Sequence, residues 1–127
     1  MRKVITFGTF DIFHIGHLNL LRRAREAGDY LCVGVSSDRL NIQKKNRAPV
    51  YTETERMAII GSLRCVDHVF LEESLDLKRK YIEENEAHLL IMGDDWEGRF
   101  DDMPCEVRYI PRTPSVSTTQ IIEVIRS

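Results

Sequence analysis

The chain lacks the features that would set it apart from ordinary globular proteins. It has only three cysteines, an odd number without a C-x-x-C spacing, which indicates neither a disulfide framework nor a zinc knuckle. No apolar run approaches the roughly 18 residues that a membrane span needs. The first strand-like run reaches polar Thr6 and Asp11 too soon for a signal peptide. The sequence therefore favours a reducing compartment, the cytoplasm, and no membrane association.

An excess of charge of one sign is also absent. The chain has 18 Lys and Arg residues against 20 Asp and Glu residues, a net charge of −2. Such a chain has no overall positive field for nucleic acid, so we expect no nucleic-acid partner, and any anionic ligand must be held locally. Its 127 residues are enough for one domain with a buried core and too few for two. We predict a single domain over residues 1–127.

Five short, nearly continuous apolar runs predict strands that are buried on both faces, at 4–7, 30–35, 68–71, 89–92 and 107–110. Segments with helical periodicity lie between and after them. Two of these begin with capping-box spacing, Thr52 with Glu55 and Ser117 with Gln120. The alternation predicts an α/β fold, a single Rossmann-like, doubly wound domain with a parallel five-stranded sheet and helices on both faces.

One stretch, residues 36–51, interrupts this alternation. It is polar and rich in Lys and Arg, and it is longer than an ordinary connection between a strand and a helix. Long connections of this kind commonly carry function. We therefore expect a binding loop or lid here.

The first predicted strand leads into Gly8 and then, at the start of the first predicted helix, into His14 and His17. A glycine after a strand permits close backbone approach, and the N–H groups at a helix start bind anions. Residues three apart share one face of a helical turn, so both imidazoles can donate hydrogen bonds to the same oxyanion. The pattern predicts a phosphate site. A metal site that includes Asp11, or purely structural histidines, are the alternatives.

A second phosphate site is predicted near the end of the chain. Arg112 and Thr113 follow the last strand, and Ser117, Thr118 and Thr119 open the last helix. A guanidinium, hydroxyls and a helix N-terminus can together bracket phosphate oxygens. The alternative is that Ser117 is only a helix cap and Arg112 a surface charge. Because ligands of open parallel sheets bind at the carboxyl ends of strands, two such sites predict a polyphosphate.

Further charged residues lie in the same part of the predicted fold. Asp94 and Asp95 follow the fourth strand, where they could accept from a base amino group, orient a cation or cap a turn, and the sequence leaves all three open. Lys44 and Arg47 belong to the polar stretch, and Arg56 to the helix after it. A basic run is usually a solvated face, but this one faces the predicted phosphate site. We favour a functional role for Lys44 and Arg56.

Three segments together resemble the signatures of the cytidylyltransferase branch of the nucleotidyltransferase superfamily. They are the turn Gly8-Thr9-Phe10-Asp11, the His14-x-Gly16-His17 pair and the terminal segment 112–119. The resemblance covers essentially the whole chain, and 93–98 and 112–114 look like the variants of the glycerol-3-phosphate cytidylyltransferases. Class I aminoacyl-tRNA synthetases share the histidine pair but are far longer, and small adenylyltransferases lack the terminal Arg-Thr.

The resemblance implies an activity. CMP would pass from CTP, bound as its Mg²⁺ complex, to sn-glycerol 3-phosphate, giving CDP-glycerol and pyrophosphate. Catalysis would involve His14, His17, Lys44 and Arg112, without a metal site on the protein. Ethanolamine phosphate or choline phosphate as the acceptor, or a non-catalytic CTP-binding regulatory module, are the alternatives. The resemblance also implies a homodimer.

The motifs and the resemblance together define two sets of site residues. The acceptor-binding set departs from the family pattern at one position. The family commonly has a second lysine two residues after the one that matches Lys44, whereas this chain has Asn46 there with Arg47 next to it. Either Arg47 substitutes for that lysine, or this side of the acceptor site is weaker or different. The predicted acceptor-binding residues are Lys44, Arg47, Arg56 and Lys78. The predicted nucleotide-binding residues are Gly8, Thr9, Phe10, Asp11, His14, His17, Arg64, Asp94, Asp95, Arg112, Thr113, Ser117, Thr118 and Thr119.

Overall fold

A computed structural model describes residues 1–113 and 117–126 of the chain, and within these residues five strands form one parallel sheet. The strand order is β3-β2-β1-β4-β5, so β2 and β3 extend the sheet on one side of β1 and β4 and β5 extend it on the other. The predicted sheet is confirmed. The strands are β1 (Lys3–Gly8), β2 (Tyr30–Ser36), β3 (His68–Glu72), β4 (Leu89–Gly93) and β5 (Glu106–Ile110).

Helices connect the strands and cover both faces of the sheet. None of those in the described part of the chain is long and apolar enough to cross a membrane. The helices are α1 (Ile15–Glu26), α2 (Asp38–Lys45), α3 (Glu53–Gly61), α4 (Lys78–Glu84) and α5 (Thr118–Arg126), with short 3₁₀ turns at Leu75–Leu77 and Asp94–Trp96.

Alternate residues of the central strands enter two separate cores. Val4 of β1 packs with α1 and α3 on one face, while its neighbour Ile5 packs with α4 and Phe100 on the other. Leu89 and Leu90 of β4 divide in the same way. Strands that are buried on both faces need apolar side chains at every position, which explains the continuous apolar runs in the sequence.

The polar stretch 36–51 contains a helix where the sequence analysis expects a loop. Ser37 caps the start of α2 by accepting the backbone N–H of Leu40 at 3.0 Å, and Asn46 ends the helix in a left-handed conformation with φ of 57°. Only Leu40 and Asn41 of this helix are buried. Because the helix buries so little apolar surface, it has no hydrophobic periodicity by which the sequence could predict it.

The two predicted helix caps are present. Thr52 and Glu55 form a reciprocal capping box at the start of α3. At the start of α5, the backbone N–H of Gln120 donates to the hydroxyl of Ser117 at 3.1 Å. These local interactions define where each helix begins. The first residue of α5, Thr118, lies beside the turn that follows β1, because its hydroxyl donates to the carbonyl of Asp11.

Candidate active site

A cavity of about 450 Å³ opens over the carboxyl ends of the strands. Its lining includes the last residue of every strand: Gly8, Ser36, Glu72, Gly93 and Ile110. The sheet order reverses at β1, and open α/β sheets bind ligands at such a switch point. The topology alone therefore brings the segments that follow the strands to one site.

Two helices begin at this cavity. His17 in the first turn of α1 and Thr118, the first residue of α5, both line it. The predicted site residues that line the cavity are Gly8, Thr9, Phe10, Asp11, His14, His17, Lys44, Arg47, Lys78, Asp95, Arg112, Thr113, Ser117, Thr118 and Thr119. The remaining ones, Arg56, Arg64 and Asp94, are not among the lining residues.

The imidazoles of His14 and His17 are stacked, with 3.8 Å between their centroids and 24° between their planes. His14 is the N-cap of α1, and its Nδ1 accepts the backbone N–H of Gly16 at 3.0 Å. The Nδ1 of His17 accepts the backbone N–H of His14 at 3.2 Å. Because Nδ1 is an acceptor in both rings, each neutral ring carries its proton on Nε2 and offers that N–H as a donor.

Burial keeps both rings neutral. The pKa of His17 is lowered to about 3, mainly by burial and also by the neighbouring His14, while Asp11 acts in the opposite direction. Burial also lowers the pKa of His14. The rings of Phe10 and Phe13 lie 5.5 Å from the His17 ring, centroid to centroid, and exclude water from it. At neutral pH the pair can therefore donate hydrogen bonds but carries no charge.

Two glycines make this arrangement possible. A side chain at Gly8 would lie 2.8 Å from the ring of Phe10, and one at Gly16 would lie 2.8 Å from the His14 ring. Both distances are shorter than any real carbon contact, so neither position accepts a larger residue unless the ring beside it moves. The glycines thus permit Phe10 and His14 to fold back over the backbone.

Asp11 lies at the cavity but uses its carboxylate within the protein. Its Oδ2 accepts the backbone N–H of Val50 at 2.7 Å, and its Oδ1 accepts those of Tyr51 and Ile12 at 2.9 and 3.1 Å. The Oγ1 of Thr118 donates to its carbonyl oxygen at 2.8 Å. The carboxylate of Asp11 thus accepts backbone donors and positions three segments around the cavity, while its contact with the nucleotide stays a prediction.

The same observations argue against a metal site at the histidine pair. Both Nδ1 atoms and the Asp11 carboxylate already accept backbone N–H groups. In residues 1–113 and 117–126, no cluster of three or more His, Cys, Asp or Glu residues has a geometry that could hold a metal ion.

The terminal segment contributes a wall of the cavity beside the start of α1. The Oγ1 of Thr113 accepts from Asn19 of α1 at 3.0 Å, which ties this segment to the helix of the histidine pair. Arg112 is exposed at the cavity rim. Pro114, Ser115 and Val116, which belong to the predicted signature, lie outside the described residues.

Two lysines line the cavity beside the carboxyl ends of β2 and β3. Lys44 of α2 is half-buried, and burial lowers its pKa, while the nearby carboxylate of Glu72 acts in the opposite direction. Lys78, at the start of α4, is only 2% exposed and forms an ion pair with Glu72, which is 1% exposed. Burial lowers the pKa of Lys78, and the charge and hydrogen bond of Glu72 raise it.

Arg56 is a structural residue, contrary to the predicted acceptor-binding role. Its side chain is fully buried, and each guanidinium nitrogen is occupied: Nε donates to the carbonyl of Tyr51 at 3.0 Å, Nη1 to those of Thr9 and Ser36 at 3.0 and 2.7 Å, and Nη2 to Asp38 at 2.6 Å. The guanidinium thus joins the turn after β1, the end of β2 and the start of α2. Four of its five N–H groups are used, and the side chain has no exposed surface through which a substrate could reach the fifth.

Arg64 and Asp94 also differ from the prediction. Arg64 is exposed in the turn between α3 and β3, so it lies at the amino ends of the strands, at the sheet edge opposite the cavity. Asp94 is exposed, and its carbonyl accepts the backbone N–H of Glu97 in a 3₁₀ turn. Only its neighbour Asp95 lines the cavity. The prediction that Arg64 and Asp94 bind the nucleotide within this chain is therefore corrected.

The sequence analysis missed two buried polar residues of the site. Asn41 is 1% exposed, accepts the hydroxyl of Thr9 at 2.8 Å and donates to the carbonyls of Ser36 and Ser37. Glu72 closes the cavity floor beside Lys78. Neither lies in a motif, and a single acidic residue at the end of a strand is too common to single out.

The paired imidazoles at one helix start, the hydroxyls at a second and the lysines beyond define a nucleotide-binding α/β protein with room for a second anionic ligand. The chain belongs to the cytidylyltransferase-like family, whose model matches residues 5–124. The predicted family resemblance is confirmed.

Individual proteins show the same relationship. The chain is 46% identical over 127 residues to glycerol-3-phosphate cytidylyltransferase of Bacillus subtilis (strain 168), covering 98% of each chain. It is 45% identical to the protein of that name from Staphylococcus aureus (strain NCTC 8325 / PS 47), covering 95% of this chain and 92% of the relative. A solved lipopolysaccharide core biosynthesis protein from Thermoplasma volcanium GSS1 superposes with a TM-score of 0.77 at 26% identity, over 89% of this chain and 98% of that one.

Proposed function

We propose that this protein transfers CMP from CTP to sn-glycerol 3-phosphate, forming CDP-glycerol and pyrophosphate. The observation that carries the proposal is the convergence of His14, His17 and the start of α5 on one cavity whose far end holds Lys44 and Lys78. The first group suits a triphosphate and the second a smaller phosphate ester. The names of the two relatives with 46% and 45% identity agree with this pair of substrates.

The reaction is a direct displacement. An oxygen of the acceptor phosphate attacks the α-phosphorus of CTP, a new P–O bond forms, and the bond to the β-phosphate oxygen breaks, so that pyrophosphate leaves with the electron pair. A phosphate monoester with a second pKa of about 6 is already a dianion at neutral pH, so attack needs no general base. This agrees with His14 and His17, whose Nδ1 atoms are occupied by backbone N–H groups.

The two histidines stabilise the charge that develops at the reacting phosphates. Their Nε2–H groups donate to phosphate oxygens, and they need no reorganisation because the backbone fixes the rings. Neutral donors suit a site that must also admit Mg²⁺, which enters with CTP as part of the substrate. Arg112, Thr113, Ser117, Thr118 and Thr119 hold the rest of the triphosphate, with Gly8, Thr9, Phe10 and Asp95 beside the nucleoside.

Lys44 and Arg47 bind the phosphate of the acceptor, and Lys78 binds its alcohol end. Two anions repel each other, so positive groups are needed to align the acceptor phosphate with the α-phosphorus. Asn46 ends α2 in a left-handed turn, and Arg47, the residue after it, lines the mouth of the cavity. Arg47 therefore takes the place of the second lysine of the family pattern.

The same proposal extends to the setting of the enzyme. We place it in the cytoplasm, where CTP is made and where its three thiols stay reduced, and we propose a homodimer. CDP-glycerol is an activated glycerol phosphate, so it suits an enzyme that builds a polyol phosphate polymer such as a teichoic acid or a capsule. Size-exclusion chromatography with light scattering tests the dimer.

The activity is tested by pyrophosphate release from CTP on addition of one phosphoalcohol at a time. We expect release with glycerol 3-phosphate and a product whose mass is that of CDP-glycerol. Preferred turnover of ethanolamine phosphate or choline phosphate would overturn the acceptor assignment. Tight binding of CTP by calorimetry without turnover of any acceptor would instead identify a non-catalytic regulatory module.

A further inference from the structure

The ammonium group of Lys78 lies in a small cage of aromatic rings and one carboxylate. Its Nζ is 4.4 Å from the centroid of the Phe7 ring and 5.1 Å from that of Phe100, and it forms an ion pair with Glu72. All four side chains are buried, with exposed fractions between 1% and 9%. The hydroxyl of Ser36 donates to the second carboxylate oxygen of Glu72 at 3.2 Å and completes the cage.

The cage is part of the cavity wall. Phe7, Glu72 and Lys78 line the cavity, as does Trp96, whose ring lies 5.6 Å from that of Phe100. Lys44 lines the same cavity, and the charges of Glu72 and Lys78 both affect its pKa. The cage therefore adjoins the region that we assign to the acceptor.

A buried carboxylate beneath aromatic faces is the chemistry that recognises a cationic head group. Aromatic faces attract ammonium and quaternary ammonium ions, and the attraction is strongest where water is excluded. A carboxylate adds a charged hydrogen-bond acceptor for an amine. In this protein, however, the cation in the cage belongs to the protein itself.

We propose that Lys78 determines acceptor specificity by filling with its own ammonium the cage in which a cationic head group would otherwise bind. The proposal rests on the proposed function, in which the acceptor is a phosphorylated alcohol. A charged amine that enters this end of the cavity is repelled by the Lys78 ammonium, which already occupies the position beside Glu72. The protein would thus select its acceptor by excluding cationic ones. One N–H of Lys78 is directed to Glu72, and a second serves the hydroxyls of an uncharged polyol.

Glu72 acts as a positioning residue in this arrangement. A lysine that is 2% exposed tends to lose its proton, and an adjacent carboxylate opposes that loss. Glu72 thus keeps the Lys78 ammonium charged and directs it between the rings. If Lys78 is replaced by a neutral residue, the carboxylate stays in the cage without its cation and becomes a site for an external one.

The test is a change of acceptor preference in Lys78→Met and Lys78→Gln. The glutamine can still donate a hydrogen bond to Glu72, so it leaves the buried carboxylate satisfied if the methionine variant fails to fold. The measurement is kcat/KM for glycerol 3-phosphate, ethanolamine phosphate and choline phosphate. We expect the kcat/KM for ethanolamine phosphate, divided by that for glycerol 3-phosphate, to rise by about 100-fold. A change of this order is expected when the repulsion between two like charges is removed.

Two further variants separate the cage from a general loss of charge. Lys80→Met makes the same change on an exposed face of α4, where Lys80 pairs with Glu84 at 3.7 Å, and it should leave the preference unchanged. The double variant Glu72→Gln with Lys78→Gln removes the carboxylate as well, so the gain with ethanolamine phosphate should be lost. A gain that persists in the double variant would overturn the proposal.

A readout without turnover keeps this test distinct from that of the proposed function. In thermal unfolding, ethanolamine should stabilise Lys78→Gln and leave the wild-type protein unaffected. Two outcomes would overturn the proposal. In the first, the Lys78 variants are folded but show neither stabilisation by ethanolamine nor a higher kcat/KM for ethanolamine phosphate. In the second, the wild-type protein uses ethanolamine phosphate as well as glycerol 3-phosphate. Absence of turnover with every acceptor in the wild-type protein overturns the proposed function, while the thermal shift still decides the role of the cage.

Discussion

The backbone N–H of His14 donates to the Nδ1 of His17, and the two imidazoles stack at 3.8 Å. This one relationship determines the tautomer of His17, orients its Nε2 away from its own helix and holds the ring among aromatic neighbours. The start of α1 is thereby both a capped helix and a pair of neutral hydrogen-bond donors.

Removal of either imidazole should reduce turnover more than binding. We expect His14→Ala and His17→Ala each to lower kcat by about 100-fold with a smaller change in KM, the scale found when one donor to a developing oxyanion is lost. Steady-state pyrophosphate release measures both constants. His68→Ala, at the amino end of β3, is the matched control and should retain full activity. An unchanged kcat with a raised KM for CTP would contradict this role.

The buried His17 should make folding stability fall in mild acid. Its pKa is about 3 in the folded protein and 6.5 in the unfolded chain, so unfolding takes up a proton between these values. Stability from this group is therefore complete above about pH 6.5 and declines as the pH falls. Between pH 7.5 and pH 5, the free energy of unfolding of the wild-type protein should fall by about 2 kcal/mol more than that of His17→Gln.

Urea unfolding at the two pH values measures this difference. His68→Gln is the control, and it should show the same decline as the wild-type protein. Equal declines in the wild-type protein and His17→Gln would mean that the ring is not neutral and buried in solution.

Arg56 should matter for stability and not for contact with the acceptor. Arg56→Lys keeps the charge but cannot replace the donors that reach Thr9, Ser36 and Tyr51. We expect a loss of about 3 kcal/mol in the free energy of unfolding. Arg39→Lys, on the exposed side of α2, should change it by less than about 0.5 kcal/mol. Full stability with a raised KM for the acceptor would restore the role predicted from the sequence.

Lys44 and Arg47 should contribute to binding of the acceptor. Lys44→Ala and Arg47→Ala each remove a cation from the cavity wall, and we expect KM for glycerol 3-phosphate to rise about 10-fold or more while KM for CTP changes little. Lys80→Ala is the control, because Lys80 is exposed on α4. If the KM for glycerol 3-phosphate is unchanged in one of the two variants, that residue does not contact the acceptor.

Asp11 should hold the segment before α3 in place. In Asp11→Ala the backbone N–H groups of Val50 and Tyr51 lose their acceptors, so their amide hydrogens should exchange at least about 10-fold faster. Hydrogen exchange followed by NMR measures these two amides individually. The amides within α4 serve as the internal control and should be unaffected. Unchanged protection of Val50 and Tyr51 would show that another group holds this segment.

Local patterns account for most of what could be predicted. The apolar runs define all five strands to within one residue at each end, because most strand positions pack against one of the two cores. The prediction that all five strands are buried on both faces is wrong for the edge strands β3 and β5, which have a neighbouring strand on one side only and keep exposed residues. Thr52 and Ser117 mark the starts of two helices through hydrogen bonds that span three residues. The family signatures are equally local, so the sequence identifies the segments after β1 and β5 that line the cavity.

The roles of charged residues were harder to predict, because a cation can either support the structure from a buried position or line the cavity. Arg56 and Lys44 both look like cations near a phosphate site, but one is fully buried under backbone carbonyls and the other lines the cavity. The role of Arg64 was implied by the family resemblance alone, while the sheet puts its turn at the amino ends of the strands, opposite the cavity. Helix α2 has no apolar periodicity and could not be predicted.

The amino-acid order by itself determined the strands, the helix caps, the family and the two helix starts that border the cavity, since each depends on interactions between residues near one another in the chain. Only the tertiary structure decided which charges line the cavity. The ion pair of Glu72 with Lys78 between Phe7 and Phe100 joins residues from β1, β3, α4 and the segment after β4. Burial and the distances between separate elements determine such a site, and no spacing along the chain encodes it.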